Sequence, residues 1–361
     1  MRGEINPQDA MFSYVSPERR VPADHPLRRI KADADQAVRA ISGELDELYG
    51  STGRPSIAPE RLLKGQLLIA LYSVRSDRAF CEQLDYNLLY RWFLDMSLDE
   101  NGLDQSNFSR LRERLVGSDV ARRFFEGVLR LARERQLLSS EHFTVDSTLI
   151  ESWASLKSLK KKGGPPPKGG GDGTGMVDYK GEQRTNATHE STTDKEAKLM
   201  RRGWGQPAKL CFAGHALMDN RAGLCADLHI TDARMAEPKG AEALIERQRR
   251  KRVKLRSLGA DKGYCSRAFV GYLRKHRIRP HIARILRRYT PGLDARTTRH
   301  DSYRISQRKR KRIEEIFGWL KTVGGLRKTR FIGIERTQLY AYLAASAYNL
   351  LRMARMPPAV T

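Results

Sequence analysis

The spacing of apolar residues changes near residue 139, and this change limits the chain to two kinds of architecture joined in sequence. Before it, apolar residues recur at helical spacing, as in Leu63, Leu67 and Ala70, which predicts amphipathic helices. After it, β-branched runs are mixed with helical stretches, as in layered α/β folds. We therefore expect an all-helical domain over residues 1–138 and a mixed-sheet α/β domain over residues 139–356.

The first segment is predicted to contain short helices: residues 24–49, a helix opened by Pro59, residues 77–93, a helix capped by Ser106, and residues 120–136. Most of their apolar positions are expected to form a core. Short helices separated by tight breaks and carrying arginines also suit contact with DNA of the helix-turn-helix type. The candidate contacts are Arg91, Arg110, Arg112 and Arg114.

The second segment begins with a β-rich run, residues 142–150, that carries Asp146 at its centre. Residues 210–218 and 224–230 are predicted to pair as a hairpin, because turn-forming residues separate them. Two further strands and four helices follow, which predicts the mixed sheet. They are residues 236–252, 255–260, 267–276, 279–283, 308–323 and 338–354.

Residues 160–175, rich in lysine, glycine and proline, lie between predicted strands. A segment of this composition cannot bury apolar surface, so it predicts a flexible basic loop. Its glycines do not fit the G-x-x-x-x-G-K-[ST] pattern of a phosphate-binding loop, and nucleotide binding is therefore not favoured there.

The charge balance indicates a polyanionic partner, since 67 lysines and arginines against 42 aspartates and glutamates give a net charge of +25. This charge is spread along the chain, which disfavours a membrane surface as the partner. No apolar run approaches the roughly 20 residues of a membrane span, and the N-terminus lacks a secretory signal. We expect a cytoplasmic, nucleoid-associated protein with no membrane partner, whose four cysteines are reduced core thiols.

Three acidic residues stand out by their context. Asp146 lies inside an apolar strand, where an unpaired carboxylate is costly. Asp261 follows a short strand, at the kind of edge where α/β sheets bind ligands. Glu314 lies on a helix dense with cations. Each has an ordinary alternative, since Asp146 could form a strand-end salt bridge and Glu314 or Glu315 an ion pair along the helix.

Taken together, the three acids suit phosphoryl transfer. Three carboxylates can hold two divalent ions about 3.5–4 Å apart, and such a pair clamps the attacking and leaving oxygens of an in-line displacement. Arg310 lies one helical turn before Glu314 and Lys321 two turns after it, so all three share one face of the helix. Acids alone would repel a DNA backbone, so the surrounding lysines and arginines would have to hold it.

Several motifs then resemble those of one family. The stretches are T-V-D-S-T-L-I-E-S-W (144–153), T-N-A-T-H-E-S-T-T-D (185–194), G-A-D-K-G-Y (259–264) and R-K-R-I-E-E-I-F-G-W-L-K-T-V-G-G-L-R-K-T-R (310–330). They resemble bacterial insertion-sequence transposases with an Asp-Asp-Glu triad, close to insertion-sequence family five and the superfamily of family four. R-P-S-I-A-P-E-R-L-L-K and A-F-C-E-Q-L-D-Y-N-L-L-Y-R-W-F resemble that group's N-terminal domain.

This resemblance implies a ribonuclease-H-like catalytic core with Asp146, Asp261 and Glu314 as catalytic residues and metal ligands. It implies two Mg²⁺ ions, with Mn²⁺ as an alternative, and double-stranded DNA of the element's terminal repeats and of the target as partner. The helical domain would bind the terminal repeats, and a homodimer would pair two ends. Water would first cut a phosphodiester at the element end, and the freed 3′-hydroxyl would then attack target DNA.

The motif around the third acid fits that family with one departure. The related motif spaces an arginine, a glutamate and a lysine as Arg310, Glu314 and Lys321 are spaced here, but Gln307 replaces its tyrosine. Any role borrowed from the tyrosine is therefore in doubt. Glu315 is the rival for the third acid, and the spacing favours Glu314.

Further contacts are expected around this centre. Arg310 and Lys321 would neutralise phosphate at the cut, and so would Lys262, unless it is an ordinary solvated lysine. Asn186, His189 and Asp194 fit substrate contact and loop-capping hydrogen bonds equally well. His215 is expected to be packed or hydrogen-bonded rather than a ligand. Three tryptophans could stack on a splayed base, although core packing is favoured for the last: Trp153, Trp204 and Trp319.

The sequence leaves other classes of function open. A metal-dependent DNA nuclease that cuts without joining has the same residues. A transposase-derived DNA-binding repressor would have an inactive core, and the presence of all three acids disfavours it. An RNA target is disfavoured because no RNA-recognition motif or KH pattern is visible.

Overall fold

The structure, a computed structural model, describes residues 14–49, 56–163, 176–179, 181–203, 205–285, 289 and 292–356. Within these residues no helix is long and apolar enough to cross a membrane. All four cysteines are free and buried, which confirms the expected core thiols. Of the predicted basic loop, Lys160 and Lys161 belong to a short strand instead, and residues 164–175 lie outside the described residues.

The N-terminal segment is helical, as its periodicity predicts. Its helices α1 to α8 are Pro17–Arg20, Pro26–Arg39, Ser42–Asp46, Pro59–Leu71, Asp77–Tyr86, Leu88–Phe93, Gln105–Arg114 and Val120–Glu134. The helix predicted over residues 77–93 is broken at Asn87, whose side chain accepts a hydrogen bond from the Tyr90 amide at 3.1 Å and caps α6. The prediction that Ser106 caps the fourth of these helices is wrong, because Asp104 caps α7.

The C-terminal segment contains the strands and six further helices, among the residues that the structure describes. Strands β1 to β10 are His142–Glu151, Leu159–Lys161, Met176–Tyr179, Glu182–Thr185, His189–Ser191, Lys198–Met200, Lys209–Asp219, Leu224–Asp232, Ser257–Ala260 and Arg279–Ile282. Helices α9 to α14 are Glu237–Arg250, Arg267–Lys275, Ala295–Thr298, Asp301–Lys309, Ile313–Thr322 and Ile334–Ala354. A 3₁₀ turn, Arg310–Arg312, leads from α12 into α13.

The central sheet has the strand order of a ribonuclease-H-like fold. β1 pairs antiparallel with β7 and parallel with β9, and β9 pairs parallel with β10. β7 also pairs antiparallel with β8, as the predicted hairpin, and with the short β6. The predicted class, a mixed α/β sheet of ribonuclease-H-like order preceded by helices, is confirmed.

Helices cover both faces of this sheet, which explains why β7 is buried along almost its whole length. On one face, Leu244 of α9 and Phe269 of α10 belong to an apolar cluster with Phe143 and Val145 of β1. Successive side chains of a strand point to opposite faces, so Asp146 points to the other face. That second face is covered by α13 and α14.

The C-terminal helix α14 joins the two segments on one hydrophobic core. Its buried side chains, such as Leu343 and Leu350, belong to a cluster that contains residues of α2, α4 and α8 and residues of β7 and β8. α13 packs between α14 and β1. The helical segment and the sheet therefore share apolar packing, and α13 is fixed on the face of the sheet that carries Asp146.

A close approach of α9 to the sheet at Gly240 gives a stability prediction. A methyl group added to Gly240 would lie 2.3 Å from Nδ1 of the buried His215 ring. We expect Gly240→Ala to lower the free energy of unfolding by about 1–3 kcal/mol, because an overpacked core must shift. In Gly271→Ala, the methyl meets nothing within 4 Å and should cause no loss. Chemical denaturation compares the two variants, and equal stabilities would contradict this account of the packing.

Candidate active site

Two aspartates lie side by side at one edge of the sheet. β9 ends at Ala260, and its parallel pairing with β1 includes Thr144 opposite Gly259. Continuing this register by two residues places Asp146 of β1 beside Asp261. The carboxyl ends of parallel strands are where open α/β sheets bind their ligands.

A cavity of about 360 Å³ opens at this edge and is lined by both aspartates. A third acid, Glu237, lines it from the first turn of α9. The Ser147 hydroxyl donates a hydrogen bond of 2.5 Å to Glu237 Oε1. Two neighbouring residues of β1 therefore shape this edge: Asp146 supplies one acid, and Ser147 positions another. Sequence analysis missed Glu237, because an acid in the first turn of a helix is ordinary and only the packing of α9 brings it here.

The electrostatics of this edge raise the pKa of Asp146 to about 6. Burial is the main cause, and the negative charges of Asp261 and Glu237 add to it. The Ser147 amide, which donates to Asp146 Oδ1 at 2.8 Å, and the charge of Arg310 act in the opposite direction. A divalent cation would stabilise the ionised carboxylates at this edge.

Glu314 is carried by the helix that covers this face of β1. Before its start, Arg310 lies close to β9, since a Cβ added to Gly259 would be 3.4 Å from Arg310 Cβ. At the other end, Lys321 donates a hydrogen bond to the Thr148 hydroxyl of β1. Glu314 lies between these anchors and is exposed, without a hydrogen-bond or ion-pair partner among the described residues.

The rival acid Glu315 is engaged elsewhere. Its carboxylate forms an ion pair of 2.8 Å with Arg352 of α14, and Arg312 lies 3.8 Å from it. Adjacent residues of a helix point about 100° apart, so these contacts direct Glu315 away from the face that Glu314 shares with Arg310.

Gln307 occupies the tyrosine position of the related motif, and it orients Arg310. Its Nε2 donates to the His281 carbonyl at 2.6 Å, and its Oε1 accepts from Arg310 Nε at 3.1 Å. The amide therefore fixes the arginine to β10 without a phenol.

A second cavity, of about 240 Å³, adjoins the first at Leu149 and Met200 and is basic. The pKa of Lys321 is lowered to about 8, by burial first and then by the charges of two neighbouring arginines. Arg201 and Arg202 line the first cavity together with its three acids, so cations extend from the acids into the second cavity. Such an arrangement suits a polyanion whose phosphates reach the acids. The cations that line the second cavity are Arg202, Lys209, Lys321 and Arg327.

The donor set at the sheet edge fits a hard divalent cation. Mg²⁺ usually takes one or two carboxylates and completes its coordination with water and phosphate oxygens, and Asp146 and Asp261 supply such a pair. Among the described residues, no three His, Cys, Asp or Glu side chains form a group that could hold a metal ion. The structure therefore brings the two aspartates together but does not gather Glu314 with them.

The prediction of DNA contact is wrong for Arg91 and Arg112, because both side chains are buried. Arg112 is ion-paired with Asp77. Arg91 donates to the backbone carbonyls of Leu84, Ser97 and Glu100. Side chains committed to such internal contacts are not available to DNA. The other candidates are exposed: Arg110, Arg114 and Lys262.

Asn186 and Asp194 make loop-capping hydrogen bonds. The Asn186 side chain donates to the Leu199 carbonyl at 2.9 Å and accepts from the Leu199 amide at 2.8 Å. The buried Asp194 carboxylate accepts from the Gly333 amide at 3.1 Å, which ties this loop to the start of α14. Of the two roles open for these residues, the structure displays the capping role.

The remaining candidates divide by burial. His215 is fully buried and hydrogen-bonded to Thr231, which confirms the packed role, and His189 is buried as well. Trp153 is 54% exposed, while Trp319 is partly buried against the core, as expected. Trp204 lies outside the described residues.

Two family models match the chain. One, described as a transposase domain (DUF772), matches residues 15–114, and the other, described as a transposase DDE domain, matches residues 183–350. The second match includes Asp261 and Glu314 and begins after Asp146. No curated protein matches the chain.

Among solved structures, the chain is similar to a piggyBac transposase synaptic complex with hairpin DNA, at 12% identity over 91% of this chain and 75% of that chain, with a TM-score of 0.42. It is also similar to a Mos1 transposase paired-end complex with the left transposon end, at 13% identity over 77% and 81% of the two chains, TM-score 0.21. A third similar structure is a pre-cleavage Mos1 transpososome. Its identity to the chain is 13%, over 86% of this chain and 82% of that chain, with a TM-score of 0.20. The strand order of the central sheet, rather than these similarities, identifies the ribonuclease-H-like fold.

The lowered pKa of Lys321 predicts that DNA binding depends on pH. We expect affinity for duplex DNA to fall between about pH 7 and pH 9, because Lys321 loses its charge as the pH rises through its pKa of about 8. A bound phosphate favours the charged form, so the loss extends above pH 8. The change should be roughly tenfold at most over this range, because the charged fraction of a lysine with a pKa of about 8 falls about tenfold from pH 7 to pH 9.

Lys321→Arg is the matched control, because arginine keeps its charge across this range and should flatten the profile. Fluorescence anisotropy of labelled duplex DNA measures both proteins. Identical pH profiles would show that Lys321 does not contact the DNA.

Proposed function

The chain belongs to the transposases of the Asp-Asp-Glu type, related to insertion-sequence families four and five, and on this premise we propose how it acts. It binds the ends of its insertion sequence, cuts phosphodiester bonds there and joins the 3′ ends to target DNA. The family supports a polynucleotidyl transferase or nuclease activity.

One observation carries the assignment of the catalytic acids: the register of β1 and β9 sets Asp146 beside Asp261 at an open cavity. Glu314 is proposed as the third acid, because its unpaired carboxylate lies on the helix that covers the same face of β1. The ion pair of Glu315 with Arg352 supports this choice over its neighbour.

The proposed cofactor is a pair of Mg²⁺ ions, with Mn²⁺ as an alternative, held by Asp146, Asp261 and Glu314. When bound, such ions stabilise negative charge on the attacking and leaving oxygens of phosphoryl transfer. The aspartates supply hard oxygen ligands at a cavity that admits a phosphodiester. At neutral pH the carboxylate of Asp146 is mostly ionised, since its raised pKa of about 6 still lies below 7.

The cations of the chain hold and orient the DNA in this proposal. Arg310, fixed by Gln307, and Lys321, fixed by Thr148, neutralise phosphate on either side of Glu314. Lys262 is exposed next to Asp261 and neutralises phosphate at the same cut. The exposed arginines of α7, Arg110 and Arg114, bind the terminal repeats together with other N-terminal cations, mostly through phosphates.

Asp146→Asn tests the chemistry. We expect cleavage of labelled element-end DNA with Mg²⁺, strand-transfer product on target DNA, and no product with EDTA. The variant should lose at least about a thousandfold in rate, because several kcal/mol of charge stabilisation depend on its carboxylate. Asp301→Asn, which changes an exposed aspartate at the start of α12, is the control and should cut normally.

The products decide between this function and its alternatives. Cutting without joined product would indicate a metal-dependent nuclease, and binding without cutting a DNA-binding repressor. Cutting that survives Asp146→Asn would mean that the acids are wrongly assigned.

Pairing of two element ends gives a prediction of stoichiometry. We propose that a homodimer holds the two ends, because each end needs its own recognition domain and active site. Sedimentation of the protein with element-end DNA should give a complex of two chains and two ends. One chain bound to paired ends would contradict the dimer.

A further inference from the structure

We propose that Glu237 sets the affinity of the catalytic centre for divalent metal ions, as a positioning residue beside Asp146 and Asp261. This inference rests on the proposed function, since it concerns the same centre. Glu237 lies outside the Asp-Asp-Glu triad and is brought to the cavity by α9.

The Glu237 carboxylate touches both of the elements that carry the aspartates. On one side, Oε1 accepts the 2.5 Å hydrogen bond from Ser147, the neighbour of Asp146 on β1. On the other side, a Cβ added to Gly263 would lie 2.8 Å from Glu237 Oε2 and 3.0 Å from Asp261 Oδ1. The two oxygens are therefore at most about 6 Å apart, the sum of these two distances.

Gly263 makes this approach possible. It follows Asp261 by two residues, and its amide donates to Asp261 Oδ1 at 2.8 Å. A side chain at this position would crowd the Glu237 carboxylate, because 2.8 Å is closer than real Cβ contacts come. The loop after β9 thus allows two carboxylates to approach the same backbone.

An ordinary role for Glu237 would be to stabilise the N-terminus of α9, where an acid interacts favourably with the helix dipole. A solvent-facing side chain would serve that role equally well. The Glu237 side chain instead lines the cavity that Asp146 and Asp261 line, and it is only partly exposed. Its hydrogen bond to Ser147 holds the carboxylate in that direction.

The chemistry of the cavity indicates a cation as the group that Glu237 serves. Asp146, Asp261 and Glu237 contribute three carboxylates to the lining of this 360 Å³ cavity, against two cationic side chains, Arg201 and Arg202. A carboxylate next to a metal site raises metal affinity through its charge and through hydrogen bonds to the ligands. Loss of such a partner typically lowers metal affinity by about 10- to 100-fold.

Glu237→Gln tests the charge and keeps the shape, because the amide oxygen can still accept the Ser147 hydrogen bond. We expect the dissociation constant for Mn²⁺, measured on the protein alone by electron paramagnetic resonance of the free ion, to rise by about tenfold. In cleavage assays on element-end DNA, the Mn²⁺ needed for half-maximal rate should rise in parallel. The rate at saturating Mn²⁺ should stay within about threefold of wild type.

Three controls separate the outcomes. Glu242→Gln removes an acid from the same helix outside the cavity and should bind Mn²⁺ as wild type does. Ser147→Ala removes the hydrogen bond but keeps the charge, and should have a smaller effect than Glu237→Gln. Asp146→Asn should weaken Mn²⁺ binding most strongly.

Unchanged Mn²⁺ binding in Glu237→Gln, beside weakened binding in Asp146→Asn, would overturn the role of Glu237 and leave the proposed function standing. Unchanged Mn²⁺ binding in both variants would instead show that these acids do not form a metal centre. If Ser147→Ala weakened Mn²⁺ binding while Glu237→Gln did not, the hydrogen bond rather than the charge would be responsible, and the proposal would be wrong.

Discussion

The parallel pairing of β1 with β9 is the constraint on which the rest of the site depends, because it sets Asp146 beside Asp261 where water is partly excluded. Burial and repulsion between like charges disfavour such a pair, and the raised pKa of Asp146 reports both effects. Arg310 and the Ser147 amide offset part of this cost. Ionisable groups whose surroundings disfavour the charged form are typical of functional sites.

Rigid elements hold this unfavourable arrangement in place. α14 packs against the N-terminal helices and the sheet together, and α13 lies between α14 and β1. On the other face, α9 approaches β7 so closely that position 240 requires glycine. Asp146 and Glu237 therefore project from a strand and a helix that share packed cores, and Asp261 directly follows β9. Such support is what keeps a functional geometry fixed.

The large positive charge is divided between two uses. Arg91 and Arg112 are buried and serve the fold, through carbonyl hydrogen bonds and an ion pair. Other cations line the cavity beside the acids, among them Arg202 and Lys321. A net charge of +25 thus predicts a polyanionic partner, but it does not identify the side chains that would meet this partner.

The sequence by itself determined the helical segment, the hairpin, the mixed sheet and the prominence of Asp146 and Asp261, because these depend on local periodicity and on acids in apolar surroundings. Only the tertiary structure showed that Glu237 joins them, that Glu315 is paired with Arg352, and that Arg112 is buried. These residues carry no local signal, since an acid or an arginine on a helix looks the same whether it faces solvent, a partner or a cavity. The packing of one element on another decides which of these it faces, and that information is spread over the whole chain.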